Sequence, residues 1–379
     1  MHYCDHNATS PLRPEAGDAI ARSLTLGGNP SSVHAAGRAA RAAIEEARTQ
    51  VAALVDARTQ DVIFTSGGSE ANALALRGTI EGSLDAGTRL TRLFISAIEH
   101  DSISANAIAA AEQVAGLRLE ILPVTASGVL DLEGLRVALR EGKGRALIAV
   151  MAANNETGAL QPLPDISRLA KEAGALLLVD AIQAAGKIAF DASVADYLSL
   201  SAHKLGGPQG VGALIVKDGA PFTPQIRGGG QERGKRAGTE NVPGIVGFGA
   251  AADAAQSSKL DSTLRDRLEA ELRRLAPEAM IFGVSAPRLP NTSNFALPGI
   301  AAENAVMALD LDGVMVSSGS ACSSGKVKAS HVLKAMGVSD ELAGSALRIS
   351  FGWNSTEADV DAVIASLSKL RTRVRARAA

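Results

Sequence analysis

The sequence ALLLVD at residues 175–180 is an unbroken apolar run that ends on Asp180. Because it lacks the alternation of a half-exposed strand, it is typical of a parallel strand that is covered on both faces. Further short apolar or β-branched runs occur on either side of it, at residues 62–65, 93–97, 119–124, 146–151, 197–201 and 212–216. Segments with helical spacing separate most of these runs. The pattern predicts an α/β domain with a mostly parallel sheet of about seven strands.

The pattern changes after residue 245. A charged helical stretch at residues 259–275 is followed by shorter strand-like runs, at residues 293–297, 314–317 and 346–351. The final helix is predicted to begin at Thr356, with Asp359 three residues later as in a capping box. These features predict a smaller α+β domain in this part of the chain.

The length of 379 residues suits two domains. We expect residues 16–245 to form the large domain. Residues 1–15 and 246–379 are expected to form the small domain together.

The composition limits the class of protein. The formal net charge is −2 and 46% of the residues are hydrophobic, so there is no general attraction to nucleic acid. No apolar stretch is long enough to span a membrane, and the N-terminus does not have the pattern of a signal peptide. The two cysteines, Cys4 and Cys322, are too few for a disulfide framework or a four-thiolate zinc site. We therefore expect a cytoplasmic protein without a metal site, which binds neither nucleic acid nor a membrane.

Two motifs place reactive side chains at the ends of predicted strands. Lys204 follows one strand and leads into a glycine-rich loop, where partial burial would lower its pKa and favour the neutral amine needed for Schiff-base chemistry. Asp180 ends another strand, at the edge where a parallel sheet forms a ligand crevice, and a carboxylate there can pair with a protonated ring nitrogen. Alternatively, Lys204 is an ordinary exposed lysine and Asp180 caps the next helix.

Three more strand ends carry small or polar residues. Residues 64–70 (FTSGGSE) pass from a strand into a helix that begins near Ser69, and such a helix N-terminus binds phosphate. Asn154-Asn155-Glu156 and Glu99-His100 follow two other strands. Either segment could also be a simple turn.

Cys322 lies among small residues in the segment SSGSACSSGK at residues 317–326. A buried inert thiol would have large apolar neighbours, whereas here the neighbours are alanine and serine. A cation such as Lys326 or Lys328 would lower the pKa of this thiol and make it a strong nucleophile. Cys4, in contrast, is predicted to be a packed thiol.

Taken together, these motifs resemble the cysteine desulfurases of the NifS/IscS-like group, which are pyridoxal-phosphate enzymes related to the class V aminotransferases. The resemblance covers nearly the whole chain. It is carried by residues 3–9, 28–32, 65–70, 154–158, 180–183, 201–207, 228–239 and 317–324. It implies the fold of a PLP-dependent transferase of type I, with a large and a small domain.

The resemblance implies that pyridoxal 5'-phosphate is the cofactor. Lys204 would hold it as a Schiff base, and Asp180 would keep its pyridine nitrogen protonated. Gln183 and Asn155 would hydrogen-bond the phenolic oxygen or its surroundings. His100 would stack on the ring and transfer protons.

The resemblance also assigns residues to the phosphate and to the substrate. The phosphate ligands would be Gly68, Ser69, Ser201 and His203. Thr239 would be contributed by the other subunit of a homodimer. Arg348, with Asn155 beside it, would bind the substrate carboxylate, since its guanidinium is a planar bidentate donor.

The implied reaction removes sulfur from L-cysteine. Cys322 would attack the sulfur as a thiolate, giving alanine and a persulfide on Cys322, and the sulfur would pass to an iron–sulfur scaffold or another acceptor protein. Cys322 would at most be a transient ligand of an iron–sulfur cluster. A selenocysteine lyase or an aminotransferase would use the same pocket without this need for Cys322, and a sulfur-relay subunit without catalysis is a further alternative.

Three features of the sequence are not explained by the family pattern. Ser69 stands where threonine is common, and Lys326 and Lys328 make the segment after Cys322 unusually basic. The basic tail at residues 371–377 could bind a partner, or could simply be the favourable cations of a helix C-terminus.

Overall fold

The computed structural model describes residues 1–258, 260–318 and 330–378. Within this part the strands, in chain order, are β1 (His2–Tyr3), β2 (Val62–Thr65), β3 (Leu90–Ser96), β4 (Arg118–Leu122), β5 (Arg145–Met151), β6 (Leu176–Asp180), β7 (Tyr197–Ser201), β8 (Gly212–Val216), β9 (Met280–Ile281), β10 (Thr292–Ala296), β11 (Val314–Met315) and β12 (Ala346–Ser350). The α-helices are α1 (Pro14–Ser23), α2 (Ala35–Leu54), α3 (Gly68–Asp85), α4 (Asp101–Gln113), α5 (Leu132–Glu141), α6 (Leu163–Glu172), α7 (Val242–Ser257), α8 (Thr263–Leu275), α9 (Ala302–Leu311), α10 (His331–Ala335), α11 (Asp340–Ala343) and α12 (Glu357–Ala378).

The central sheet has seven strands in the order β2-β8-β7-β6-β5-β3-β4. β8 is antiparallel to both of its neighbours, and every other neighbouring pair is parallel. The predicted seven-stranded, mostly parallel sheet is therefore confirmed. The limits of β2, β7 and β8 are those predicted from the sequence.

Strand β6 shows why the sheet is apolar on both faces. Leu177 and Val179 pack into one apolar core, and Leu176 and Leu178 pack into another on the opposite face. Helices α2, α6 and α7 cover the first face, and α3 and α4 cover the second. An unbroken apolar strand is needed because neither face meets water.

The C-terminal part forms a third apolar core around β10, β12, α8, α9 and α12. β10 is antiparallel to β9 and β12, and β1 pairs with β11. The backbone N–H of Thr356 donates to Asp359 Oδ2 at 2.7 Å, so the capping-box start of the final helix is confirmed. No helix in the described part of the chain is both long and apolar enough to cross a membrane.

The packing of helix α7 concerns the position of the predicted domain boundary. Its side chains, including Phe248, share the core of the large sheet with α1 and α2. The predicted boundary at residue 245 falls inside this helix, so its packing favours a boundary after Ser257. The division into two domains remains a prediction.

Gly212, at the start of β8, allows a close approach between two segments. A Cβ at this position would lie 2.6 Å from the carbonyl carbon of Gly67 and 2.7 Å from Leu200 O. Because such distances are far below van der Waals contact, only glycine lets the β2–α3 connection lie over the end of β8.

A buried ion pair holds the loop before α7 against the sheet. Arg48 Nη1 and Nη2 donate to the two carboxylate oxygens of Glu232 at 2.6 and 3.0 Å, and the backbone N–H of Phe64 also donates to Glu232, at 2.8 Å. Arg48 and Glu232 are only 3% and 6% exposed. Glu232 adopts a positive φ of 45°, so these contacts hold a backbone conformation that non-glycine residues rarely adopt.

The substitution Arg48→Met should therefore destabilise the fold by about 3–5 kcal/mol, because it leaves the Glu232 carboxylate buried without its partner. Chemical denaturation measures this loss, and Arg77→Met, on the exposed side of α3, is the matched control with a change within about 0.5 kcal/mol. Adding Glu232→Gln to Arg48→Met should recover part of the stability, since the amide still accepts from Phe64 without a charge. A double variant no more stable than Arg48→Met alone would contradict this account.

Candidate active site

The sequence motifs converge on one edge of the central sheet. β3, β5, β6 and β7 are parallel neighbours, so the residues that follow them lie at the same edge. His100, Asn155, Asp180 and Lys204 come from these four strand ends. This edge is where α/β sheets bind their ligands.

Lys204 ends a short 3-10 turn directly after β7. Its Nζ donates to the carbonyl oxygens of Asn7 at 2.8 Å and Ala8 at 2.6 Å. Burial lowers the pKa of this amine to about 8, helped by the charge of Arg348 and opposed by Asp5 and Asp180. Lys204 is therefore not an ordinary surface lysine, and a usable fraction of it is neutral near pH 7.

Asp180 is 6% exposed and has polar but uncharged hydrogen-bond donors. Asn72 Nδ2 donates to Oδ2 at 2.8 Å, and the backbone N–H of Ile182 donates to Oδ1 at 3.0 Å. Burial raises the pKa of the carboxyl, while these hydrogen bonds and the charges of His100 and Lys204 oppose the rise. The next α-helix begins only at Val242, so the alternative that Asp180 is a helix N-cap is wrong.

His100 is linked to Asp180 through two residues that the sequence analysis missed. The Nδ1 of His100 caps α4 by accepting the backbone N–H of Ser102 at 3.0 Å, and it lies 2.8 Å from Ser102 Oγ. Asn72 Nδ2 donates to that same Oγ at 2.9 Å as well as to Asp180. Asn72 is a fully buried polar residue within the apolar run 71–76 of α3, and that contrast was the available signal.

Asn7 joins the first residues of the chain to the sheet edge and was also missed as an individual site residue. Its carbonyl oxygen accepts from Lys204 and, at 2.9 Å, from Gln183 Nε2. Its side-chain Nδ2 donates to Asn155 O at 3.1 Å and to Thr292 Oγ1 at 2.9 Å. The N-terminal segment is thus part of the floor beneath Lys204.

The residues predicted to bind phosphate lie around the N-terminus of α3. A Cβ on Gly68 would lie 2.3 Å from Ile182 Cδ1 and 3.2 Å from Ser201 Cβ, so the helix start fits closely against the ends of β6 and β7. His203 Nδ1 lies 3.1 Å from Thr9 Oγ1. Burial and the charge of Lys204 lower the pKa of His203 to about 4, so this imidazole is neutral at pH 7.

Two residues of the predicted phosphate group are exposed. Ser69 is in the first turn of α3, beside Gly68. Thr239 lines a cleft of about 140 Å³ together with Thr65, Ser66 and Arg236. The contribution of Thr239 from a second subunit stays a prediction.

Arg348 lies in β12 and reaches the site from the C-terminal part of the chain. Its Nη2 donates to Asp5 Oδ1 at 2.6 Å and its Nη1 to Asn155 O at 3.1 Å. The side chain is buried, and Nε has no hydrogen-bond partner among the described residues. A guanidinium with an uncommitted buried donor is suited to bind a further anionic group.

Cys322, Lys326 and Lys328 lie outside the described residues, but the residues on either side of that segment contact the site. Ser317 and Arg348 exchange backbone hydrogen bonds, with N···O distances of 3.2 and 2.7 Å. After the segment, Ser330 Oγ donates to Glu156 Oε2 at 2.5 Å.

Cys4 has the expected structural role. It is fully buried in the third apolar core. Burial, reinforced by the charges of Asp359 and Asp5, raises the pKa of its thiol to about 12, so it is not a nucleophile at neutral pH.

Glu99, which precedes His100, is a buried acid. Glu99 is 1% exposed, and its Oε1 accepts from Ser96 Oγ at 2.5 Å and from the backbone N–H of Met151 at 3.0 Å. Its other oxygen, Oε2, has no partner in the described part of the chain. Burial raises the pKa of Glu99 to about 8, opposed by the two hydrogen bonds and reinforced by Asp180. Glu99 is therefore mostly protonated at pH 7.

The raised pKa of Glu99 makes stability depend on pH. The folded state binds this proton more tightly than the unfolded chain, whose glutamate pKa is about 4.3, so this contribution is complete at low pH and is lost as pH rises towards 8. Glu99→Gln keeps the two hydrogen bonds without the titration and should gain stability relative to the parent protein between pH 5 and 8. Denaturant unfolding at several pH values measures the difference. Glu141→Gln, at the exposed end of α5, is the control, and equal pH profiles for the parent and Glu99→Gln would contradict the prediction.

Comparison with known proteins shows the family of this chain. The family model Aminotransferase class-V matches residues 2–363. A cysteine desulfurase of Cereibacter sphaeroides is 43% identical over 99% of this chain and 96% of its own length, and the cysteine desulfurase IscS of Dictyoglomus turgidum is 39% identical over 98% and 95%. The X-ray structure of a NifS-like protein from Rickettsia africae matches with a TM-score of 0.87 and 33% identity, covering 98% of this chain and 99% of that one.

The structural likeness confirms the expected fold of a PLP-dependent transferase built on a mostly parallel seven-stranded sheet. The family match spans both the sheet edge that carries Lys204 and the strand that carries Arg348. The chain therefore belongs to the class-V aminotransferase family and, within it, to the NifS-like cysteine desulfurases, which depend on pyridoxal 5'-phosphate.

Proposed function

We propose that this protein removes the sulfur of L-cysteine with pyridoxal 5'-phosphate bound at Lys204, forms a persulfide on Cys322 and gives the sulfur to an acceptor protein. The observation that carries the proposal is the meeting of Lys204, Asp180 and Arg348 at one sheet edge. On one flank of the Cys322 segment Ser317 contacts Arg348 of this cluster, and on the other flank Ser330 contacts Glu156, the residue after Asn155.

The residues present fit the cofactor. Among the described residues, neither the Lys204 amine nor the Asp180 carboxylate is in an ion pair, so the amine is open to a carbonyl group and the acid to a protonated ring nitrogen. Helix α3 begins at Gly68 without a side-chain cap, so its first backbone N–H groups are suited to meet a phosphate. We assign Gly68, Ser69, Ser201 and His203 to that phosphate.

The remaining cofactor contacts are those that the family resemblance implies. Asp180 would hold a proton at the ring nitrogen, and Gln183 would donate to the phenolic oxygen with Asn155 nearby. His100 would lie against the ring, oriented by its hydrogen bonds to Ser102. The bound cofactor supplies an electron sink for the α-carbon of the substrate.

Lys204 and Arg348 then act on the substrate. The Lys204 amine, whose pKa is about 8, can accept the α-proton and return it. Arg348, with Asp5 on one side, would bind the substrate carboxylate in a bidentate manner and so fix the direction of the sulfur.

Cys322 would take the sulfur. Its thiolate attacks the substrate sulfur, the new S–S bond forms as the carbon–sulfur bond breaks, and the electron pair of that bond stays with the carbon, which is protonated to give alanine. Four residue steps separate Cys322 from Ser318, a reach of at most about 15 Å for any chain conformation. This length of chain suits a thiol that must serve a pocket beside Arg348.

The finer assignments belong to the same proposal. We place the protein in the cytoplasm, as a homodimer in which Thr239 reaches the phosphate of the other subunit, in line with the exposure of Thr239. The acceptor would be an iron–sulfur scaffold protein or another sulfur carrier. The basic segment that contains Lys326 and Lys328 lies in the sequence directly after the thiol that must meet that acceptor.

Cysteine substitution tests the reaction. Cys322→Ser should lose nearly all formation of alanine from L-cysteine, and the parent protein should gain about 32 Da on Cys322, one sulfur atom, after cysteine treatment. Cys4→Ala is the matched control, because Cys4 is a core thiol, and it should keep both the turnover and the adduct. Full turnover in Cys322→Ser would refute the persulfide mechanism and favour a lyase or aminotransferase that does not need this thiol.

Asp180→Asn tests the role of the buried acid. We expect this variant to keep bound cofactor, seen by its visible absorbance, yet to lose activity by at least about a hundredfold, or about 2.7 kcal/mol of barrier, because a neutral amide cannot stabilise a protonated ring nitrogen. Lys204→Ala should lose the visible absorbance of the bound cofactor. Undiminished turnover in Asp180→Asn would contradict the assigned role.

A further inference from the structure

Lys187 is a buried lysine close to the site to which the proposed reaction gives no role. It lies four residues after Gln183, in the turns that follow β6, and is only 6% exposed. Its Nζ donates to Asn7 Oδ1 at 2.7 Å and to Gln183 Oε1 at 2.6 Å. The two acceptor residues are also linked to Lys204, because the Asn7 carbonyl oxygen accepts from both Gln183 Nε2 and Lys204 Nζ.

The surroundings of Lys187 favour an uncharged amine. No carboxylate lies within ion-pair distance of its Nζ in the described ranges, and the charged groups that act on it are those of Lys204 and Arg348. His6 also faces it, and the pKa of that imidazole is lowered to about 4 by burial first and by Lys187 second. Burial and the two cations hold the pKa of Lys187 well below its ordinary value. A neutral amine has two N–H donors, which matches its two acceptors.

These two hydrogen bonds fix the orientation of two amides. Because Gln183 Oε1 accepts from Lys187, its Nε2 must lie on the other side, where one N–H meets Asn7 O and the second is left for a ligand. Because Asn7 Oδ1 accepts from Lys187 and, at 3.2 Å, from Asn291, its Nδ2 faces Asn155 and Thr292. Rotating either amide by half a turn would set donor against donor.

We propose that Lys187 is a positioning residue that sets the donor side of Gln183 towards the phenolic oxygen of the cofactor and fixes Asn7 beneath Lys204. The role rests on the proposed function, because it assumes a cofactor at Lys204. Without Lys187 the amide of Gln183 is free to present its oxygen, which would repel a phenolate oxygen instead of stabilising it.

The test is a double-mutant cycle of Lys187→Met and Gln183→Leu, read by absorbance instead of turnover. A hydrogen-bond donor to the phenolic oxygen stabilises the negative charge of that oxygen. The bound cofactor then loses its nearby proton at a lower pH. Lys187→Met should therefore raise, by half a pH unit or more, the midpoint of the pH titration of the visible cofactor band. The loss of one hydrogen bond should also weaken cofactor binding to the apoenzyme by about three- to tenfold.

The cycle separates positioning from simple stability. Gln183→Leu should produce the same two shifts. In the Gln183→Leu variant, adding Lys187→Met should change the titration midpoint and the cofactor affinity by less than about half as much as it does in the parent protein. Lys171→Met, at the exposed end of α6, is the control and should change neither quantity. If Lys187→Met does not fold, Lys187→Gln, which keeps an amide donor, takes its place in the cycle with smaller shifts of the same sign.

Three outcomes would overturn the inference. The first is a variant of Lys187 with an unchanged titration midpoint and cofactor affinity and only a lower melting temperature, which would make the role structural. The second is shifts of equal size in the presence and absence of Gln183. The third is a parent protein that forms no visible band with pyridoxal 5'-phosphate, which would refute the proposed function itself.

Discussion

The site depends on one constraint, the burial of polar groups at the edge where parallel strands end. Lys204, Asp180, Glu99 and Lys187 are all largely removed from water, and none is in an ion pair with another residue of the described part. Each is held by carbonyl, amide, hydroxyl or backbone N–H groups instead. Burial then shifts each pKa towards the uncharged form, which prepares acids and amines for proton transfer and covalent chemistry.

The interior of the fold could be predicted because its signals are local. An unbroken run such as residues 175–180 requires two covered faces, and the structure places alternate side chains of β6 in two different cores. The positions of Asp180 and Lys204 follow from the same reasoning, because a residue after a parallel strand must lie at the ligand edge. Helix α7 was harder to place, since its apolar composition does not reveal which sheet it covers.

The supporting residues could not be predicted in the same way. Asn72, Ser102 and Lys187 make their contacts across the fold or from within apolar segments, and their residue types have many other uses. Asn72 joins Asp180 across 108 positions, a separation at which the sequence carries no periodic signal. The motif residues at the sheet edge can therefore be identified in one sequence, whereas the polar residues that orient them become visible only when hydrogen bonds are followed in space.

Asn7 gives the site an unusual relation to the order in which the chain is made. It is synthesised long before its partners, since its backbone N–H donates to Ser350 Oγ and its side chain donates to Thr292. The central sheet can form from residues 62–216, but the floor beneath Lys204 requires these much later partners. During synthesis the contacts of Asn7 beneath Lys204 therefore cannot be completed until Ser350, 343 positions later in the sequence, has emerged from the ribosome.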